Sequence, residues 1–331
     1  MSRIAVIGAG AWGTALTVSL ARRSGHKLSL WAHSPDHAAQ LGDTGENTRY
    51  LPGFILPSDV RITANLPQAI ADAEIILFVT PSQALRSVME QIAPFINTKQ
   101  ILISASKGIE EKTFLRMSQI MFEYAPSNMI GTLGGPSFAQ EVAAAMPTAI
   151  TLAVDDPIFG KSLQDDFSSA SLRAYRNEDV IGTELGGALK NVIALAAGVV
   201  TGLNLGSNAT SALITRGIAE ITRLTMACGG RRETMSGLSG IGDLVLTCTG
   251  GLSRNRTVGI ELGKGRNLDE IIAGLNGKVA EGVRTTTAAL GLARRYSVEM
   301  PITEQMAAIL HQDRAPLEAI RELMSRPGRT E

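Results

Sequence analysis

Apolar and polar positions follow two regimes along this chain. Up to about residue 180, short apolar runs recur at residues 4–7, 28–31, 74–79, 100–104, 129–133 and 149–154. Between them, segments such as residues 83–92 and 114–122 repeat apolar side chains at helical spacing. Strand–helix alternation of this kind predicts a mostly parallel sheet covered by helices on both faces. In such sheets ligands bind beyond the carboxyl ends of the strands. From about residue 182 onward, strand signals become sparse and helical ones dominate, separated by glycine-rich turns. The pattern therefore predicts an α/β chain. A Rossmann-type, mostly parallel sheet occupies residues 1–181, and an all-α domain follows over residues 182–331.

The first strand runs directly into a glycine pattern, with Gly8, Gly10 and Gly13 following Ile4-Ala5-Val6-Ile7 and a helix opening at Thr14. A dinucleotide fingerprint needs this context. The first glycine permits a tight turn, the second lets backbone approach a pyrophosphate, and the third lets the helix pack on the strand. The helix N-terminus then offers N–H groups and partial positive charge to the phosphates. The second strand ends at Ala32-His33-Ser34 with no carboxylate in the position that bonds a free ribose 2′-hydroxyl. His33 and Ser34 are placed to meet a 2′-phosphate, so NADP(H) is favoured and NAD(H) stays possible; the alternative is that His33 is a surface loop residue.

Composition narrows the class. The chain has 331 residues and a formal net charge of zero, so nothing points to nucleic acid or an anionic membrane. The two cysteines, Cys228 and Cys248, match no metal-ligand or redox spacing and read as packed thiols in a reducing, cytoplasmic setting. The apolar stretch at residues 192–200 is well short of the ~20 residues that span a bilayer, and no metal site is expected.

Lys190 stands on a helical face made of Thr183, Gly186, Gly187, Ala194 and Ala197, all small. Such a face admits a ligand or another backbone, and a buried lysine suits proton transfer near neutral pH. The alternative is a lysine that snorkels from an ordinary core helix. Asp243 opens a helix at a glycine turn, with Thr247 one turn on; an acid there also serves simply as an N-cap. Residues 250–256 hold two glycines, Ser253, Arg254, Asn255 and Arg256, either a phosphate cradle or a solvated basic loop. Lys107 and the turn Gly135-Pro136-Ser137 supply further polar groups after predicted strands.

The strings GAGAWGTAL, ASKGIE, GGPSFAQEV, GGALKNVIALAAG, LITRGIAEI, SGIGDLVLTC, SRNR and EGVRTT occur in this order. Together they resemble the bacterial NAD(P)-dependent glycerol-3-phosphate dehydrogenase family over essentially the whole chain. The resemblance implies a homodimer with an N-terminal Rossmann domain and a helical substrate-binding and dimerisation domain. It implies interconversion of dihydroxyacetone phosphate and sn-glycerol 3-phosphate for phospholipid synthesis. By position, Lys190 is implied as the proton donor and acceptor and as a substrate contact, with Asp243 and Thr247 helping to orient the lysine or the substrate. Lys107, Gly135, Ser137, Asp243, Ser253, Arg254 and Asn255 are implied substrate contacts. Gly8, Gly10, Ala11, Trp12, Gly13, His33, Lys107, Ala139, Arg254, Val279 and Glu281 are implied cofactor contacts. Ala11 stands where many members carry serine, and Thr210 where a basic residue is common. Two rivals stay open from the residues: a β-hydroxyacid or 6-phosphogluconate-type dehydrogenase of the same architecture, and a non-catalytic NADPH-sensing module.

Overall fold

The computed structural model describes residues 2–23, 25–275 and 280–328. It divides into two compact units: residues Met1–Lys107 with Leu115–Glu184, and Gly108–Phe114 with Leu185–Glu331.

The first unit is built on an eight-stranded sheet. Its strands are β1 (Arg3–Ile7), β2 (Lys27–Trp31), β3 (Arg61–Thr63), β4 (Ile75–Phe78), β5 (Ile101–Ser104), β6 (Ile130–Gly134), β7 (Thr148–Val154) and β8 (Leu172–Asn177). Their spatial order is β3-β2-β1-β4-β5-β6-β7-β8. The first six run parallel, in the order shared by dinucleotide-binding sheets. β7 pairs antiparallel to β6, and β8 then lies parallel to β7. The mostly parallel sheet predicted from the pattern is present, and two of its strands escaped the pattern. β3 has only three residues, too short for alternation to register. β8 is an edge strand whose exposed positions are Arg173, Tyr175 and Arg176, so only Leu172 and Ala174 mark its buried face.

Burial on both faces explains why β1 is a continuous apolar run. Ile4 and Val6 join a core layer with Leu16 and Leu20 of the helix Ala11–Ala21. Ala5 and Ile7 point the other way, into a layer with Leu85, Met89 and Ile92 of one helix and Ile120 and Met121 of another.

Among its described residues the second unit contains helices and no strand. Its long helix, Val180–Gly202, begins in the first unit. The helix is long and apolar enough to cross a membrane, yet 89% of its most apolar window is buried inside the protein. It is a core helix. Gly198 of this helix meets Gly259 of the helix Arg254–Gly263 so closely that a Cβ on Gly198 would lie 2.8 Å from the Gly259 Cα. That approach fixes the helix opening at Arg254 against the helix carrying Lys190.

Candidate active site

The glycine turn in the first unit has the shape its sequence predicts. Gly8 lies at φ +126°, and a Cβ there would sit 2.6 Å from the Val79 carbonyl oxygen. A Cβ on Gly13 would lie 1.8 Å from the Gly8 oxygen, so helix and strand touch through bare backbone. Gly10 is different: among the described residues nothing lies within 4 Å of its Cβ position. The protein therefore does not itself require glycine at this position, and the open space is where backbone can meet a ligand. The helix Ala11–Ala21 starts at Gly10 with no side chain capping its N-terminus. Its first N–H groups are the anion-binding kind. Trp12 and Ala139 pack on the small cluster of Ala15 of this helix with Leu51 and Ala143, and the Trp12 indole Nε1 is buried without an acceptor among the described residues. The turn fits a dinucleotide pyrophosphate.

His33 follows β2 and is exposed, its ring edge-on to Trp31 at 5.6 Å between centroids. The Ser34 hydroxyl accepts the His37 N–H at 3.4 Å and caps the helix Pro35–Thr44, so it serves the fold before any ligand. At the ends of β5 and β6, Lys107 donates from Nζ to the Gly135 carbonyl at 3.0 Å, and Ser137 donates to the same oxygen at 3.1 Å. Gly135 holds φ +97°, which favours glycine, and brings these groups together.

In the second unit the lysine is 6% exposed and does not snorkel. Lys190 Nζ donates to Asp243 Oδ1 at 2.5 Å and to the Thr247 hydroxyl at 2.8 Å. Thr247 in turn donates to the Asp243 carbonyl at 2.6 Å, which commits its hydrogen and aims a lone pair at the ammonium. Asp243 is fully buried and opens the helix Asp243–Thr249, but its carboxylate serves the lysine. A π-helical turn, Leu238–Gly242, delivers it. Gly186 lets that turn approach: a Cβ there would lie 2.3 Å from the Ser239 carbonyl oxygen. Charges buried in this way require pairing, and this trio provides it. The neighbouring Cys248 is desolvated, which pushes its thiol up to about 12 and leaves it an unreactive packing residue.

The SRNR segment begins a helix. Ser253 is its N-cap, accepting the Arg256 N–H at 3.2 Å, and its own hydroxyl hydrogen is still available to donate. Arg254 is exposed by surface area although surrounding atoms partly desolvate it, which lowers its pKa against the pull of the Glu281 carboxylate. A guanidinium stays charged through such a shift. The Asn255 carboxamide donates to Asn191 Oδ1 and accepts the Gly282 N–H, both at 3.0 Å. Asn191 was absent from the sequence-predicted site. It follows Lys190 directly, but its contact lies 64 residues away and leaves no local signal. Glu281 opens the helix Glu281–Arg295, and Val279 lies outside the described residues.

A dinucleotide cradle in one unit and a buried lysine–carboxylate centre in the other define an NAD(P)-linked oxidoreductase. The chain belongs to the NAD-dependent glycerol-3-phosphate dehydrogenase family, matching its N-terminal region over residues 3–159 and its C-terminal region over residues 179–321. It is 57% identical to an NAD(P)+ glycerol-3-phosphate dehydrogenase of Acidobacterium capsulatum, covering 100% of both chains. It is 55% identical to one of Koribacter versatilis, covering 100% of this chain and 99% of that relative. The crystal structure of glycerol-3-phosphate dehydrogenase from Coxiella burnetii superposes with a TM-score of 0.94 at 40% identity, over 98% of this chain and 99% of that one.

Proposed function

We propose that this chain reduces dihydroxyacetone phosphate to sn-glycerol 3-phosphate with NAD(P)H, reversibly, and so supplies glycerophospholipid synthesis. NADP(H) is favoured and NAD(H) accepted, because no carboxylate stands at Ala32-His33-Ser34, where β2 ends, to repel a 2′-phosphate. Residues 1–181 carry the cofactor; residues 182–331 carry the substrate and the contact of a cytoplasmic homodimer. The buried trio of Lys190, Asp243 and Thr247 is what supports this activity most strongly.

NAD(P)H held at the glycine turn would supply a hydride for carbon 2 of the ketone. This chain's residues do the rest. Lys190 Nζ gives a proton to the carbonyl oxygen as that carbon takes the hydride, so ketone, hydride and proton sum to the alcohol. Asp243 and Thr247 hold the ammonium in its donating form and fix its direction. After release of product the amine takes a proton from water. Arg254 and the Ser253 hydroxyl hold the phosphate, with Asn255 offering its second amide hydrogen; Lys107, Gly135 and Ser137 add contacts from the strand ends. Gly8, Gly10, Ala11, Trp12, Gly13, His33, Ala139 and Glu281 would hold the dinucleotide. Anchoring the phosphate turns binding energy far from the reacting carbon into its orientation.

The test is initial-rate oxidation of NADPH and NADH with dihydroxyacetone phosphate, with unphosphorylated dihydroxyacetone, and with a panel of keto acids. Turnover concentrated on dihydroxyacetone phosphate is expected. Turnover of keto acids alone would replace this reading with a hydroxyacid dehydrogenase. NADPH binding without turnover of any ketone would make the chain a sensing module.

A further inference from the structure

The loop between the helix Pro35–Thr44 and β3 carries a buried polar residue that takes no part in the proton or hydride transfer. Asn47 is 1% exposed. Its Nδ2 donates to the Ala9 carbonyl at 2.9 Å and to the Thr14 hydroxyl at 2.7 Å. Its Oδ1 accepts the Tyr50 N–H at 3.2 Å and the His37 Nε2–H at 3.2 Å. A carboxamide has two donor hydrogens and two acceptor lone pairs, and all four are engaged. The Ala9 carbonyl and the Tyr50 N–H settle which end is nitrogen, and His37 must therefore carry its hydrogen on Nε2.

The loop around Asn47 is closed on itself. Leu56 donates its N–H to the Gly45 carbonyl at 2.7 Å, and Glu46 pairs with Ile55 across the loop. Leu51 packs on Ala15 of the glycine-turn helix and on Ala143. Asn47 thus sits on a rigid base and reaches the middle of the glycine turn. The peptide it holds joins Ala9 to Gly10. In a trans peptide the C=O and N–H point in opposite directions. Tying the Ala9 oxygen inward to Asn47 therefore aims the Gly10 N–H away from Asn47, at the N-terminus of the helix Ala11–Ala21, which no side chain caps.

We infer that Asn47 is a positioning residue for the dinucleotide: it locks the Ala9–Gly10 peptide so that the Gly10 N–H is pre-aimed at the pyrophosphate. The inference rests on the glycine turn being the cofactor site. Pyrophosphate is common to NADPH and NADH, so the lock serves both cofactors equally and leaves the ketone site alone.

The test measures Kd for NADPH and NADH, kcat at saturating cofactor, and KM for dihydroxyacetone phosphate, in the unaltered protein, Asn47→Asp and Thr14→Val. Asn47→Asp keeps the shape and both acceptor bonds but turns lone pairs toward the Ala9 oxygen. Both cofactor affinities are expected to fall by about ten-fold or more, with their ratio unchanged within about two-fold. Thr14→Val, which removes one acceptor and leaves the Ala9 bond, is expected to give a smaller loss of the same even character. In both variants kcat and the KM for the ketone should hold. Thr14→Val keeps the inference testable if Asn47→Asp fails to fold. Unchanged affinities would overturn the lock. So would a shifted NADPH-to-NADH ratio, which would mean that Asn47 reads the ribose, or a parallel loss of kcat and ketone affinity, which would mean general structural damage. Failure of the unaltered protein to bind either cofactor would instead overturn the functional reading on which the lock rests.

Discussion

Lys190→Met separates the catalytic and structural roles of one side chain. Methionine fills the space of the lysine stem, but it removes the cation that neutralises a fully buried Asp243 carboxylate 2.5 Å away. Breaking a buried ion pair on one side costs about 3–5 kcal/mol, because the other charge is left unpaired. At roughly 2–4 °C per kcal/mol for a unit of this size, the melting temperature should fall by about 6–20 °C. Turnover should fall about 10²–10⁴-fold, the scale for a positioned acid. Adding Asp243→Asn removes the stranded charge, and the double variant should regain most of the lost stability while remaining inactive. Thermal denaturation and NADPH oxidation with dihydroxyacetone phosphate read the two effects separately. A single variant that melts with the parent would mean that the pair is not a buried charge pair in solution. One that keeps more than about a third of parental turnover would remove Lys190 from proton transfer.

Three further outcomes are expected. Arg254→Gln should lower kcat/KM for dihydroxyacetone phosphate by about 10- to 150-fold, the worth of a charge-assisted bond to phosphate, while residual activity on unphosphorylated dihydroxyacetone is nearly untouched; equal losses on both would place the phosphate elsewhere. His33→Asp puts a carboxylate at the exposed end of β2 and should shift kcat/KM toward NADH, and an unchanged cofactor ratio would show that this loop does not read the ribose. Burial raises the Glu220 carboxyl above its ordinary 4.5, against hydrogen bonds from the Thr303 hydroxyl and the Ile302 and Thr303 N–H groups and the charge of Arg223. The folded state therefore holds a proton that the unfolded chain releases: this contribution is full below 4.5 and is lost as pH rises through the raised value. The melting temperature of the parent relative to Glu220→Gln should fall as pH climbs across that window, and a difference independent of pH would refute the assignment.

What the sequence made legible follows from the range of each interaction. The glycine turn was readable because all its parts are local: strand, three glycines and helix lie within the first 21 residues. The strands buried on both faces announced themselves as apolar runs, while the edge strand β8 carries its arginines and Tyr175 outward and hid. Lys190 stood out on a face of small residues, and Gly186 does admit a neighbouring backbone there. That its partner is Asp243, 53 residues on, was open in the sequence, since an acid at a helix start is equally a cap. Ser253 and Asn255 were visible as polar residues near arginines, but their N-capping and helix-bridging bonds depend on tertiary contacts. Asn47 left no trace at all: in Glu46-Asn47-Thr48-Arg49 it reads as one more polar loop residue, and only the fold brings it to Ala9.

In the proposed reaction hydride goes to carbon 2 of the ketone while Lys190 supplies the proton. NADPH carrying deuterium at the transferable position of the nicotinamide, mixed with the protein and dihydroxyacetone phosphate, tests it most directly by mass spectrometry of the product. The expected product is glycerol 3-phosphate with one deuterium, bound to carbon 2, formed by the parent and essentially absent with Lys190→Met over the same interval. Oxidation of the labelled NADPH without deuterium at carbon 2, or equal labelling by Lys190→Met, would contradict it.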